Sequence, residues 1–177
     1  PLAVVAARKK EALGGLRKCW SLMLFFACIG FGFMAVETAA LLRLQSFLGK
    51  PIYGLSVALF AFLFSSGLGS AFTHRFQAEE LPRRVYQIIS TLTVVGLIFY
   101  WGSEPLFSAT LSFPLSARIA IAVAAIFPMA FLMGMLFPIG ITLIADEEPD
   151  LIPWAWATNG CMSVIGTFGT RTLALFL

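Results

Sequence analysis

From Trp20 to Leu42 the chain reads W-S-L-M-L-F-F-A-C-I-G-F-G-F-M-A-V-E-T-A-A-L-L, with Glu37 as its only charge, and Arg43 closes the run. About 20 apolar residues at 1.5 Å per residue cover a hydrocarbon core of ~30 Å, so this stretch is expected to form a membrane-spanning helix. A carboxylate inside such a span costs roughly 3 kcal/mol on insertion scales, which makes Glu37 a residue with a partner or a task. The rest of the chain has the same character. Of its 177 residues 59% are hydrophobic and 12% charged, where a soluble domain is nearer 45–50% and about 25%.

Four more apolar runs follow. The five expected spans are residues 20–42, 52–73, 85–101, 117–145 and 154–177, behind a basic flank at 1–19. The expected fold is therefore an all-α polytopic transmembrane bundle. The fourth run is too long for one straight span and contains Pro128 and Pro138, each of which removes a backbone donor and crowds the preceding turn. It is expected to be a kinked helix, or two pieces joined near Met133 to Pro138. The third run carries Gln87, Ser90, Thr91 and Thr93, which argues for a helix facing protein rather than lipid. Residues 43–51 and the Ser/Pro-rich residues 102–116 are expected to be links.

Lysine and arginine set orientation in membrane proteins. Arg8, Lys9, Lys10, Arg17, Lys18, Arg75, Arg83 and Arg84 fall on one side of the expected bundle, and Arg43, Lys50 and Arg118 on the other. That places the N-terminal flank in the cytoplasm. The net charge of +3 is accounted for by these flanks, and no nucleic-acid partner is expected. The partners expected are the lipid bilayer and other membrane helices.

Glu37 and Arg171 each lie 17 residues into spans running in the same direction, so an ion pair across the bundle is one reading. In the other, the fifth span stops near Gly169 and Arg171 snorkels to the interface. A carboxylate beside a proline-broken helix is also a feature of transport sites, which keeps a transporter-like module centred on Glu37 as a second functional class. Ser66 and Ser70, or Ser65 and Gly69, share a face of the second span and permit close helix approach, as do Gly30, Gly134, Gly160, Ser163, Gly166 and Gly169 elsewhere. Asn159, inside the fifth span, is expected to hydrogen-bond to a neighbouring helix. Trp20, Trp154, Trp156 and Arg43 are expected at the membrane interface. Cys19, Cys28 and Cys161 lack metal-ligand spacing, and no Ser/His/acid set is available for nucleophilic catalysis. No catalytic residue, cofactor or metal is expected.

Several blocks in order, G-F-G-F-M-A-V-E-T-A with Arg43, F-L-G-K-P-I-Y, S-S-G-L-G-S, F-L-M-G-M-L-F-P-I-G and P-W-A-W-A-T-N-G-C-M-S-V-I-G, resemble the membrane portion of polytopic, spermidine synthase-like proteins of bacteria. The resemblance covers most of residues 29–166. It implies an inner-membrane helical part joined to an aminopropyltransferase-like soluble domain. Any aminopropyl transfer would then belong to that domain. It further implies that the chain begins after that domain and that at least one later helix lies outside it.

Overall fold

The computed structural model describes the backbone of residues 2–145 and 148–176, and side chains from Cys19 onward within those ranges. The side chains of Arg8, Lys9, Lys10, Arg17 and Lys18, together with Asp146, Glu147 and Leu177, lie outside the described residues. All regular structure among the described residues is helical. Five helices follow one another: α1 (Leu2–Leu48), α2 (Pro51–Phe72), α3 (Leu81–Ala109), α4 (Leu115–Ala145) and α5 (Ile152–Ala174). Four segments are long and apolar enough to cross a membrane: Cys19–Leu48, Pro51–Arg75, Ala78–Ala109 and Leu115–Ala145. This is consistent with an integral membrane protein. α5 is long enough to span but more polar than the others, with Thr158, Asn159, Ser163, Thr167, Thr170, Arg171 and Thr172 along it.

Helix directions alternate. Phe33 meets Phe62 and Gln45 meets Gly54, so α1 and α2 are antiparallel. Phe26 meets Phe137 while Phe47 meets Arg118, so α1 and α4 are antiparallel too. Met23 pairs with Thr158 and Gly30 with Ser163, which makes α1 and α5 parallel. One end of the bundle thus gathers Arg43, Lys50, Glu104, Arg118 and Arg171. The opposite end gathers His74, Arg75, Glu79, Glu80, Arg83, Arg84, Glu148 and Asp150. The core runs between α1, α2 and α4, around Leu44, Phe62 and Ile126, all fully buried.

Two expected links are helical. α1 continues through Leu48, and the chain reverses over Gly49 and Lys50 alone. Gly49 has φ +76°, a left-handed backbone that glycine adopts without a Cβ penalty, and Pro51 then starts α2 where its missing N–H costs nothing. α3 does not stop at Trp101 but runs to Ala109 through Pro105. Tertiary contacts hold that extra length: Ser103 is buried against Arg43, and Phe107 stacks on Phe47 at 4.3 Å. α4 is a single helix through Pro128 and Pro138 rather than two pieces, and α5 continues past Gly169.

The expectation that the polar residues of α3 face protein is not met within this chain. Gln87, Ser90, Thr91 and Thr93 are all exposed, and the buried stripe is Leu81, Ile88, Ser103 and Phe107. The hydroxyls do not need a neighbouring helix. Ser90 donates to the Gln87 carbonyl at 3.0 Å and Thr93 to the Ile89 carbonyl at 2.9 Å, the back-bonding that lets such residues face an apolar medium. Gln87 accepts from Arg84 at 3.4 Å.

Candidate functional site: a groove between four helices

Two helix pairs approach closely enough that only glycine fits. In the α1–α5 pair, a Cβ on Gly30 would meet the Asn159 carbonyl, and one on Gly166 would meet the Phe31 carbonyl. In the α2–α4 pair, a Cβ on Gly69 would meet the Phe131 carbonyl, and one on Gly134 would meet the Ser66 carbonyl. Each helix of a pair therefore seats a glycine on its partner's backbone. Four of the expected close-approach residues, Gly30, Gly69, Gly134 and Gly166, act this way. Gly160 does not: it is exposed with open space around it, since it turns away from α1.

Between the two crossings lies a groove of about 470 Å³, walled by α2 and α5 and floored by α1 and α4. It brings together Gly30, Ser66, Ser70, Gly134, Pro138 and Asn159, with Trp156 at its edge. Those residues come from four helices, and the sequence singled them out for close helix approach, a helix break, a polar amide or an aromatic anchor. The groove carries both kinds of polar group: the Asn159 and Gly134 carbonyl oxygens accept, and the Ser70 hydroxyl and Asn159 amide N–H groups can donate. Ser163 lies 2.8 Å from the Asn159 carbonyl and 3.3 Å from that of Gly30, and Ser66 donates to Leu63 at 3.3 Å, so these hydroxyl protons are engaged. Pro138 has no N–H to offer the Gly134 carbonyl. Asn159 does not bond to a neighbouring helix as expected; its Oδ1 is buried without a partner. The reason is geometric: the face opposite Asn159 on α1 is Gly30, which has no side chain to donate. A nucleophile with its base does not arise, because no titratable side chain lines the groove.

Glu37 lies elsewhere. It is buried, 9% exposed, beside Thr38, and lines neither this groove nor the cavity at Arg43. It does not pair with Arg171. The parallel α1–α5 register, read from Met23–Thr158 and Gly30–Ser163, does bring the two residues to equal depth. Their faces differ: α5 turns Asn159, Ser163 and Gly166 toward α1, while Arg171 is exposed near Leu42 and Gln45. Among the described residues Glu37 makes no ion pair and no side-chain hydrogen bond; the ion pair present is Arg84–Glu80 at 3.0 Å.

Arg43, expected at the membrane interface, makes tertiary contacts. It donates to the Tyr100 carbonyl at 3.1 Å and to Ser103 Oγ, and its guanidinium lies 5.2 Å from the centre of the Tyr100 ring. Trp20 and Trp154 project outward, 74% and 65% exposed, as interface residues do. Trp156 also packs edge-on against Phe137 at 4.6 Å. Pro128 is exposed within α4. Sequence reasoning missed Tyr100, Ser103, Phe107 and Arg118, because the segment holding the first three reads as the end of a span and a link. Among the described residues no His/Cys/Asp/Glu group could hold a metal. Compared with protein families, curated proteins and solved structures, the chain matches none.

Proposed function

We propose that this chain is a non-catalytic helical membrane domain, of the kind its sequence blocks resemble in spermidine synthase-like proteins, that holds a further helix or a soluble domain at the bilayer. The observation that carries this reading is the pair of glycine-seated crossings, which fix four helices around a groove with hydrogen-bonding groups and no titratable group. Such a groove suits a structural hydrogen bond from a neighbouring helix better than a reaction. The basic residues favour an orientation with the N-terminal flank cytoplasmic, and Arg171, at the same end as Arg43, Lys50 and Arg118, leaves that bias intact.

The test is photo-crosslinking in native membranes. A photoreactive residue replacing Leu63, which is 69% exposed at the groove wall, is expected to capture a polypeptide. The same group replacing Trp101, 70% exposed on α3, is expected to capture lipid. The rival reading is a transporter-like module centred on Glu37. It requires cation or polyamine uptake by vesicles containing the purified chain, and loss of that uptake in Glu37→Gln. That pair of results would replace the scaffold reading.

A further inference from the structure

The end of the bundle that carries Arg43 holds a second cavity, of about 440 Å³, lined by Arg43, Ser46, Phe47, Ser103, Glu104 and Ser108 among others. Its size is that of ordinary small-ligand sites. Its depth follows from the helices. Arg43 is 23 residues beyond Trp20, roughly 34 Å at helical rise, which places it across a ~30 Å hydrocarbon core from that tryptophan. The exposed Tyr100 and Trp101 stand at the same level and mark an interfacial aromatic belt. α3 continues two turns past them, to Ala109, so the cavity opens into the headgroup layer.

The cavity contains a cation and an anion that do not neutralise each other. Arg43 and Glu104 both line it, yet no ion pair joins them, and Arg43 is aimed by the Tyr100 carbonyl, Ser103 and the Tyr100 ring instead. Arg118, its guanidinium 5.0 Å from the Phe47 ring centre and its Nε buried without a partner, adds positive potential behind the Phe47 wall. A guanidinium whose orientation is fixed recognises phosphate oxygens through its forked donors. An ionised carboxylate only accepts, and so asks for N–H donors. Leu42 and Leu111 supply the apolar part of the wall.

We propose that this cavity binds a zwitterionic phospholipid headgroup carrying a primary amine, the phosphate on Arg43 and the ammonium on Glu104. A phosphoglycerol headgroup has no cation for Glu104. A quaternary ammonium has no N–H to give it. The site therefore discriminates among lipids of the same tail.

Native mass spectrometry of the full chain in non-ionic detergent tests this, with phosphatidylethanolamine, phosphatidylglycerol and phosphatidylcholine of matched acyl chains. Phosphatidylethanolamine is expected to be retained on the order of tenfold better than the other two, as one charge-assisted bond allows. Glu104 is exposed and among the described residues joins no ion pair, so Glu104→Gln should fold normally, lose that preference and bind phosphatidylglycerol at least as well. Arg43→Lys keeps the charge without the fork and is expected to weaken retention of all three lipids. Soluble phosphoethanolamine at millimolar concentration should not compete. Equal retention of the three lipids by the wild-type chain, or an unchanged preference in Glu104→Gln, overturns the proposal. Effective competition by soluble phosphoethanolamine overturns the lipid as the source of the headgroup.

Discussion

At the scale of single residues, the backbone contacts at four glycines make sharp demands. Gly30→Ala is expected to destabilise the protein by about 1–3 kcal/mol, the usual cost of forcing atoms into a close-packed interface, because the obstacle is the Asn159 main chain and not a movable side chain. Gly32→Ala, two positions away in open space, should be close to neutral. Unfolding of the two variants in mixed detergent micelles separates them. Asn159 makes the opposite kind of prediction. Its Oδ1 is buried and unpartnered, and an unmet buried polar group costs roughly 1–3 kcal/mol. Asn159→Ala should therefore leave the isolated chain as stable or more stable in the same unfolding assay.

At the scale of elements, α1 and α5 share a register but not the ion pair that register suggests. A double-mutant cycle of Glu37→Gln and Arg171→Ala should give a coupling energy within about 0.5 kcal/mol of zero, as independent sites do. A larger coupling, measured by the same unfolding assay, would restore the pair. α3 shows why element boundaries were harder to read than element types. Gly102, Ser103 and Pro105 are poor helix formers in sequence, but Phe107 on Phe47 and Ser103 on Arg43 reward the continuation. Its polar face was legible in a different way. Leu81, Val85, Ile88, Leu92 and Phe99 recur at helical spacing and are the buried or half-buried side, which leaves Gln87, Ser90, Thr91 and Thr93 no place but outside. Counting that stripe would have placed them correctly.

At the scale of the whole molecule, alternating helix directions put the α1–α2 and α3–α4 connections at one end and the α2–α3 and α4–α5 connections at the other. Lys50→Cys and Arg83→Cys, each in a background lacking the native cysteines, should be labelled by a membrane-impermeant maleimide from opposite sides of sealed vesicles. Cys28 and Cys161 are exposed on helix faces, yet they belong to the hydrocarbon zone, so they should resist the same reagent until the membrane is dissolved. Labelling of both in intact vesicles would mean that water reaches those faces. The apolar outer surface supports the same geometry: Leu24, Leu63, Ile98 and Phe168 are each more than half exposed, an arrangement that lipid tolerates and water does not.

The sequence by itself determined that the chain is a bundle of apolar helices, roughly where each lies, and which small and polar residues interrupt their surfaces. Those properties follow from hydropathy and from backbone hydrogen bonding, which in an apolar medium must be satisfied within each segment. Tertiary structure decided which of those residues meet. Helix rotation about its own axis is set by contacts with two or three neighbours at once, and a turn of about 100° per residue separates a shared depth from a shared face. That is why Glu37 and Arg171 were matched in depth and remain apart. It is also why Ser66, Gly134, Pro138 and Asn159, far apart in the chain, converge on one groove.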